Sequence, residues 1–188
     1  MKAIEYLESL LESPKSNGSN LPVVFKEKNF KKGDIITRYE QVENKMYFIK
    51  KGIVILEIMC DEEEKIIDFF NKNRFVCSYT SFILQKPSDV QVVALTDCEL
   101  EYLHYHELNI AYDSSFEANK LGRLLTEQIY ITKSNREKDF LTKSAEVRYL
   151  ELMNQNPELI QLIPVNKIAK YLGIHPESLS RIRKKIIS

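Results

Sequence analysis

The chain has 188 residues, which is enough for one large or two small domains. Apolar residues make up 44% of the chain and charged residues 29%, a balance typical of a globular protein with a substantial core. No stretch approaches the roughly 18 consecutive apolar residues of a membrane span, and the N-terminus alternates charged with apolar groups, unlike a signal peptide. These features exclude a membrane protein and predict a cytoplasmic one.

The net charge is zero, but the charges are distributed unevenly. Residues 142–188 hold eight Lys and Arg against four Asp and Glu, so this end carries +4 and the rest of the chain carries −4. A positive end indicates a nucleic-acid-binding module, and the acidic rest of the chain limits non-specific binding.

The cysteines and histidines do not form a metal-binding pattern. The three cysteines are far apart in the sequence, so we expect reduced thiols; they are Cys60, Cys77 and Cys98. His104, His106 and His175 have no ligand partner at a useful spacing, and the acidic run at 61–64 is interpreted as the solvated tip of a hairpin. We therefore predict neither a metal site nor a cofactor.

A short amphipathic helix at residues 2–12 and a flexible break at 14–20 precede a β-rich region. From residue 23 to about residue 103, short runs rich in Val, Ile, Phe and Tyr alternate with turn signals. The predicted strands are 23–30, 35–39, 45–50, 53–60, 65–70, 90–94 and 99–103. Short strands at this spacing favour a closed or rolled antiparallel sheet.

Residues 77–84 interrupt the strands and are predicted to form a short helix. In a β-roll, an inserted turn with hydroxyls and free amides is a natural pocket for a small ligand. Ser78, Tyr79 and Ser81 are therefore candidate effector-binding residues, and the alternative is core packing plus a loop.

A long helix is predicted to begin at the Ser-x-x-Glu capping box of Ser114–Glu117 and to extend to about Asp139. About 25 residues give roughly 37 Å of helix, more than a domain of this size needs for internal packing. We expect the helix to pair with a second copy of the chain. The apolar residues proposed for this run are Phe116, Leu121, Leu124, Leu125, Ile129 and Ile131.

A helix at about 144–154 and a helix start at Asn156-Pro157 lead to the most informative segment, residues 168–185. This segment reads as two short helices joined by a tight turn, a helix-turn-helix. Ala169 allows the helices to approach closely, Gly173 can adopt the left-handed conformation that the turn needs, and Leu179 fills the angle between the helices. Such a unit places its second helix in the major groove of DNA.

At about 100° per residue, the second helix has an apolar side with Leu179, Ile182 and Ile186. On the opposite side, Arg181 could bind guanine and Glu177 could accept from a cytosine amino group. Lysines of both helices are expected to meet phosphates, and an amphipathic terminal helix with a solvated basic face is the alternative. The candidate DNA-binding residues are Lys167, Lys170, Glu177, Ser178, Ser180, Arg181, Lys184 and Lys185.

A β-roll, a long helix and a C-terminal helix-turn-helix, in this order, resemble the Crp/Fnr family of bacterial transcription regulators. The resemblance covers nearly the whole chain. Its most specific parts are residues 145–149, similar to the family's Ala-Glu-x-Arg-Tyr motif, and residues 172–184. The resemblance implies that Glu177 and Arg181 read bases. It also implies a homodimer on near-palindromic double-stranded DNA, with RNA polymerase as a further candidate partner.

The chain departs from the family at the cyclic AMP pocket. Relatives that bind cyclic AMP carry Gly-Glu-Leu and then an arginine followed by small residues, whereas this chain has Cys77-Ser-Tyr79 and Ser88-Asp89. Because a buried phosphate without a guanidinium loses a strong contact, we expect an effector other than cyclic AMP, with Ser88 as a fourth candidate pocket residue. The cysteine cluster of oxygen sensors is also missing. Since the sequence ends at Ser188, we expect no winged hairpin and fewer backbone contacts to DNA.

The predicted fold class is α+β. Residues 1–113 form an antiparallel β-roll sensor of cupin or jelly-roll type, residues 114–140 a dimerisation helix, and residues 141–188 a helix-turn-helix domain. The predicted function is a dimeric, sequence-specific DNA-binding transcription regulator whose β-roll senses an unknown small molecule or none. A ligand- or partner-binding module whose helix-turn-helix has lost DNA affinity is the alternative. An enzyme is not expected, because the sequence shows no nucleophile–base–acid set and no phosphate loop.

Overall fold

The computed structural model describes residues 1–11 and 21–187, so the predicted break at 14–20 lies outside the described residues. The strands are β1 (Lys26–Phe30), β2 (Ile35–Thr37), β3 (Lys45–Lys51), β4 (Val54–Cys60), β5 (Glu63–Phe70), β6 (Phe75–Val76), β7 (Val90–Ala94) and β8 (Cys98–His104). The helices are α1 (Ala3–Ser9), α2 (Tyr79–Leu84), α3 (Tyr105–Ser114), α4 (Phe116–Thr142), α5 (Ala145–Gln155), α6 (Pro157–Leu162), α7 (Val165–Leu172) and α8 (Pro176–Ile187). The predicted α+β class is confirmed.

The strands form two four-stranded antiparallel sheets, in the orders β1-β8-β3-β6 and β2-β7-β4-β5. Because side chains alternate between the faces of a strand, each sheet contributes one apolar face to a shared core. Ile49 and Leu100 of the first sheet pack in one cluster with Val54 and Val92 of the second. This cluster is the interior of the β-roll.

The turn between β4 and β5 is the predicted hairpin tip. Cys60 pairs with Glu63, and the two residues between them, Asp61 and Glu62, have φ of 52° and 63°. Two left-handed residues are typical of the turn that suits the twist of a β-hairpin. Asp61 and Glu62 of the predicted acidic run therefore form a tight connection at the end of the second sheet, whereas Glu63 and Glu64 belong to β5.

Two elements were not predicted, and one predicted cap is displaced. The short strand β6 and the helix α3 are absent from the sequence-based assignment. Since α3 continues through Ser114, whose hydroxyl donates to the carbonyl of Ile110, the N-cap of α4 is Ser115. The Ser115 hydroxyl accepts from the backbone N–H of Ala118, so the prediction of Ser114 as the cap was wrong by one residue.

The C-terminal helices pack against the outer face of the second sheet. Ile55 of β4 and Ile66 of β5 join Ile168, Leu172 and Leu179 in a second buried cluster. Strand β4 is therefore covered on both faces, which explains its consecutive apolar residues. Among the described residues, no helix is long and apolar enough to cross a membrane.

Candidate nucleic-acid interface and effector region

The turn between α7 and α8 has the predicted backbone conformation. Gly173 ends α7 with φ of 68°, in the left-handed region that favours glycine. The N–H of Ile174 donates to the carbonyl of Ala169 at 3.1 Å, which closes the C-terminus of α7. The helix-turn-helix geometry predicted from Gly173 is confirmed.

Small and apolar side chains hold α8 close to α7. Ala169 and Leu179 are fully buried, and Leu172 at the end of α7 is nearly so. An ideal Cβ placed on Gly173 would lie 3.3 Å from the Phe140 ring of α4, so the turn also approaches the long helix closely. These contacts determine the direction in which α8 leaves the turn.

The face of α8 opposite Leu179 is exposed and polar. Glu177, Ser180, Arg181, Lys184 and Lys185 are exposed, whereas Ser178 is half-buried. Arg181 Nη2 lies 3.3 Å from the Ser178 hydroxyl, and Lys185 Nζ lies 2.9 Å from a carboxylate oxygen of Glu146 in α5. A guanidinium, a carboxylate and ammonium groups at one-turn spacing can meet base edges and phosphates.

The two predicted phosphate contacts on α7 have carboxylate partners in the β-roll. Lys167 forms an ion pair with Glu57, whose side chain is only 3% exposed, and its Nζ lies 3.8 Å from Glu64. Lys170 Nζ lies 3.9 Å from the same Glu64 carboxylate. A DNA phosphate would therefore compete with these carboxylates for both lysines.

The serines of the candidate effector region are bonded within the protein. Ser78 and Ser88 are buried with their hydroxyl oxygens 2.6 Å apart, and Ser88 Oγ also lies 2.6 Å from the carbonyl of Val90. Lys86 and Asp89, the nearest charged residues in sequence, are both exposed. The buried pair is thus neutral and satisfied without a ligand.

Ser81 belongs to a second buried network, centred on Glu43. The Ser81 hydroxyl accepts from the backbone N–H of Glu43 at 2.9 Å and donates to the carbonyl of Lys86. The Glu43 carboxylate accepts from the Thr37 hydroxyl and from the N–H of Lys45. Burial raises the pKa of Glu43, although these hydrogen bonds act in the opposite direction.

Residues 27–114 match the cyclic nucleotide-binding domain family. Over most of the chain, the structure is also similar to solved structures of bacterial regulators. One is a protein from Eubacterium rectale assigned to the Crp/Fnr family of transcriptional regulators, with 18% identity and a TM-score of 0.70 over 86% of this chain and 78% of that chain. This is the fold of the Crp/Fnr regulators. The resemblance inferred from the sequence is confirmed.

Two further structures share the Crp/Fnr fold. FixK2 from Bradyrhizobium japonicum has 15% identity and a TM-score of 0.69, over 87% of this chain and 85% of that chain. The c-di-GMP-responsive global regulator CLP from Xanthomonas campestris has 18% identity and a TM-score of 0.68, over 86% of both chains. No curated protein is similar enough in sequence to count as a match.

One residue of the Crp/Fnr-like motif at 145–149 has a role that sequence reasoning missed. The Arg148 guanidinium stacks over the Phe140 ring, with Cζ 3.7 Å from the ring centroid, and Nη2 donates to the carbonyl of Leu172 at 3.1 Å. It therefore satisfies the C-terminus of α7 and joins the long helix to the helix-turn-helix. In the sequence, the one signal for Arg148 was its position in this motif.

The described residues contain no group of three or more His, Cys, Asp or Glu side chains that could hold a metal ion. His104 and His106 stack with ring centroids 5.5 Å apart at the start of α3. Burial raises the pKa of the Cys77 thiol well above its ordinary value, so that thiol is kept neutral.

Proposed function

We propose that the chain is a sequence-specific DNA-binding transcription regulator of the Crp/Fnr type. The observation that supports this most is the division of α8 into a buried side and an exposed cationic side. Leu179 is fully buried against α7, while Glu177, Arg181 and Lys184 are exposed. The local charge of residues 142–188 is +4, which favours a polyanionic partner.

We further propose that the regulator is a dimer joined through α4. At 27 residues, α4 is about 40 Å long and leaves several large apolar side chains exposed. Phe116 is 87% exposed, Tyr130 lies two heptads later at 73%, and Leu141 is 81% exposed. Leu121 is buried within its own chain and is removed from the proposed seam. Residues 1–113 would then form the sensor and residues 141–188 the DNA-binding part.

The effector is proposed to be a small molecule other than cyclic AMP. The resemblance implies that the Ser78–Ser88 pair, which is buried and neutral, stands where relatives that bind cyclic AMP carry a glutamate and an arginine. A phosphodiester placed there would lose its water without gaining a cation, which is strongly unfavourable. Isothermal titration calorimetry with cyclic AMP is expected to show no saturable binding.

The alternative, a partner-binding module without DNA affinity, has one observation in its favour. Lys167 and Lys170, the proposed phosphate contacts of α7, are both paired with carboxylates of the β-roll. In a partner-binding module, both lysines would remain paired with these carboxylates, and α7 would only pack against the β-roll.

Selection of bound duplexes from a random pool, followed by footprinting, tests the two functions. A regulator is expected to enrich a near-palindrome whose half-sites are centred about 34 Å apart. Sedimentation analysis should give twice the monomer mass of 22.0 kDa. Recovery of no common sequence, with binding only as strong as bulk charge explains, would reject the regulator in favour of the module.

A further inference from the structure

A cavity of about 480 Å³ lies outside the β-roll interior, between the first sheet, the segment 21–25 and helices α1, α2, α3 and α4. We call it the α3–α4 pocket. Representative lining residues are Met46, Phe82, Tyr112, Leu125 and Ile129. Its volume falls within the range of small-molecule sites in proteins.

Strand alternation separates this pocket from the apolar interior of the β-roll. Tyr47 and Leu100 belong to the core cluster inside the roll, whereas Met46 and Leu103 lie on the opposite face of their strands and line the pocket. A ligand in the α3–α4 pocket would thus lie against the outer face of the first sheet.

The chemistry of the lining favours a neutral, mainly apolar molecule. Among the described residues, Arg123 is the one side chain of the lining that is charged at neutral pH, and Glu127 pairs with it at 2.6 Å. The hydroxyls of Tyr79 and Thr126, both in the lining, lie 3.3 Å apart. This separation is long for a hydrogen bond between hydroxyls, so a ligand oxygen can bind to these hydroxyls in place of their contact with each other.

The pocket is connected to the helix-turn-helix through α4. Beyond the pocket, Lys133 and Arg136 of this helix lie 3.1 and 3.3 Å from the Asp68 carboxylate of β5. The Arg136 guanidinium also stacks on Tyr171 of α7, with Cζ 4.0 Å from the ring centroid. The continuous helix α4 therefore contacts both the pocket and α7.

We propose that the α3–α4 pocket binds a neutral, mainly apolar small molecule with one hydroxyl or carbonyl group, and that this molecule is the effector. The effector role rests on the proposed DNA-binding function, whereas the binding does not. Occupancy of the pocket changes DNA affinity by moving α4 relative to β5 and α7.

The binding test uses the neutral fluorophore N-phenyl-1-naphthylamine on the full chain, which contains no tryptophan. We expect saturable binding, displaced by dodecan-1-ol and about tenfold less well by dodecanoate, because the described part of the lining offers a carboxylate no unpaired cation. Non-saturable fluorescence, or equal displacement by the two competitors, would overturn the proposed ligand class.

Two variants locate the site. Leu125→Trp fills the pocket and should weaken fluorophore binding about tenfold, provided that its thermal unfolding remains cooperative. Met59→Trp is the matched control, because Met59 is 49% exposed and lies outside the lining. Gly122→Ala is a milder second variant, because a Cβ there would lie 2.4 Å from the Tyr112 hydroxyl and would displace that ring. Unchanged binding in both pocket variants would refute the location.

The effector role is tested separately in a gel-shift assay on the selected duplex. Dodecan-1-ol should change the DNA affinity of the wild type about threefold or more and leave that of Leu125→Trp unchanged. An unchanged wild-type affinity would reject the effector role. If the chain binds no duplex selectively but binds the fluorophore in the predicted way, the proposed function fails and the pocket assignment stands.

Discussion

Lys167, in the first helix of the helix-turn-helix, forms an ion pair with Glu57, which is buried in strand β4 of the β-roll. The two residues are 110 positions apart in the sequence. The pair links β4 to α7 at a point where the carboxylate has little access to water. Lys167 is thus a link between the roll and the helix-turn-helix as well as a candidate phosphate contact.

Glu57→Gln should strengthen DNA binding. Without its carboxylate partner, Lys167 can pair with a phosphate, so we expect affinity for any duplex to rise about threefold and the salt dependence to steepen by about one unit of slope. Gel-shift titrations at several salt concentrations measure both quantities. Glu62→Gln is the control, because Glu62 lies exposed in the hairpin turn and its replacement removes the same charge. Equal changes in the two variants would attribute the effect to bulk charge alone.

Lys167→Ala should destabilise the protein much more than Lys170→Ala. Removal of Lys167 leaves the Glu57 carboxylate buried without its close cation, for which a loss of about 3 kcal/mol is expected. The partner of Lys170, Glu64, is 39% exposed, so its loss should cost less than about 1 kcal/mol. Urea denaturation of the two variants measures the difference. Similar midpoints would show that the Lys167–Glu57 pair contributes no more to stability than the Lys170–Glu64 pair.

Arg181→Ala should reduce both the affinity and the selectivity of DNA binding. An arginine that forks onto a base contributes about 1–3 kcal/mol and specifies one base pair in each half-site. The measurement is a competition series with singly substituted duplexes. Arg74→Ala removes an exposed arginine from the β-roll and should leave binding unchanged. Retention of full base preference in Arg181→Ala would exclude Arg181 from base recognition.

Gly173→Ala should lower the free energy of unfolding by about 1–2 kcal/mol, because alanine is strained in the left-handed conformation. The added Cβ would also lie 3.3 Å from the Phe140 ring. Asparagine tolerates this conformation better, so Gly173→Asn should recover part of the loss. Thermal denaturation of the two variants measures their stabilities. Equal losses of stability in Gly173→Ala and Gly173→Asn would contradict this prediction.

Glu43 should make stability depend on pH. Because burial raises its pKa above the ordinary 4.5, the folded state holds the proton more tightly than the unfolded chain does. The Glu43 contribution is therefore fully present below pH 4.5 and is lost as the pH rises through the folded-state pKa. As the pH rises from 4.5 through the folded-state pKa, the wild type should lose stability relative to Glu43→Gln. Urea denaturation at several pH values compares the two proteins, and a constant difference would show that Glu43 does not titrate as expected.

The helix-turn-helix could be predicted because its signals are local. Gly173 marks the left-handed turn, and the positions of Ala169 and Leu179 follow from helical periodicity within one short segment. The β4–β5 hairpin was predictable for the same reason, since a polar run between two apolar strands is a nearest-neighbour pattern. The start of α4 was misplaced by one residue because Ser114 and Ser115 are both good caps, and the end of α3 decides between them.

The α3–α4 pocket and the roll contacts of α7 could not be predicted in this way. Leu125 was predicted to lie in a dimer seam, because helical periodicity identifies the apolar side of a helix but does not show what that side contacts. In the structure it lines the pocket of its own chain. Likewise, Lys167 and Lys170 carry the charge that suits phosphates, and the sequence contains no signal that Glu57 and Glu64 lie beside them.

The order of amino acids alone determined the type of most segments, though not of β6 or α3: strands, a long helix, and a turn that only glycine accommodates easily. These properties depend on residues within a few positions of one another, where backbone sterics and side-chain period act directly. The tertiary structure decided which apolar faces meet, which charges pair and where a cavity remains. Those outcomes depend on side chains from distant positions in the sequence, which come into contact only when the chain folds.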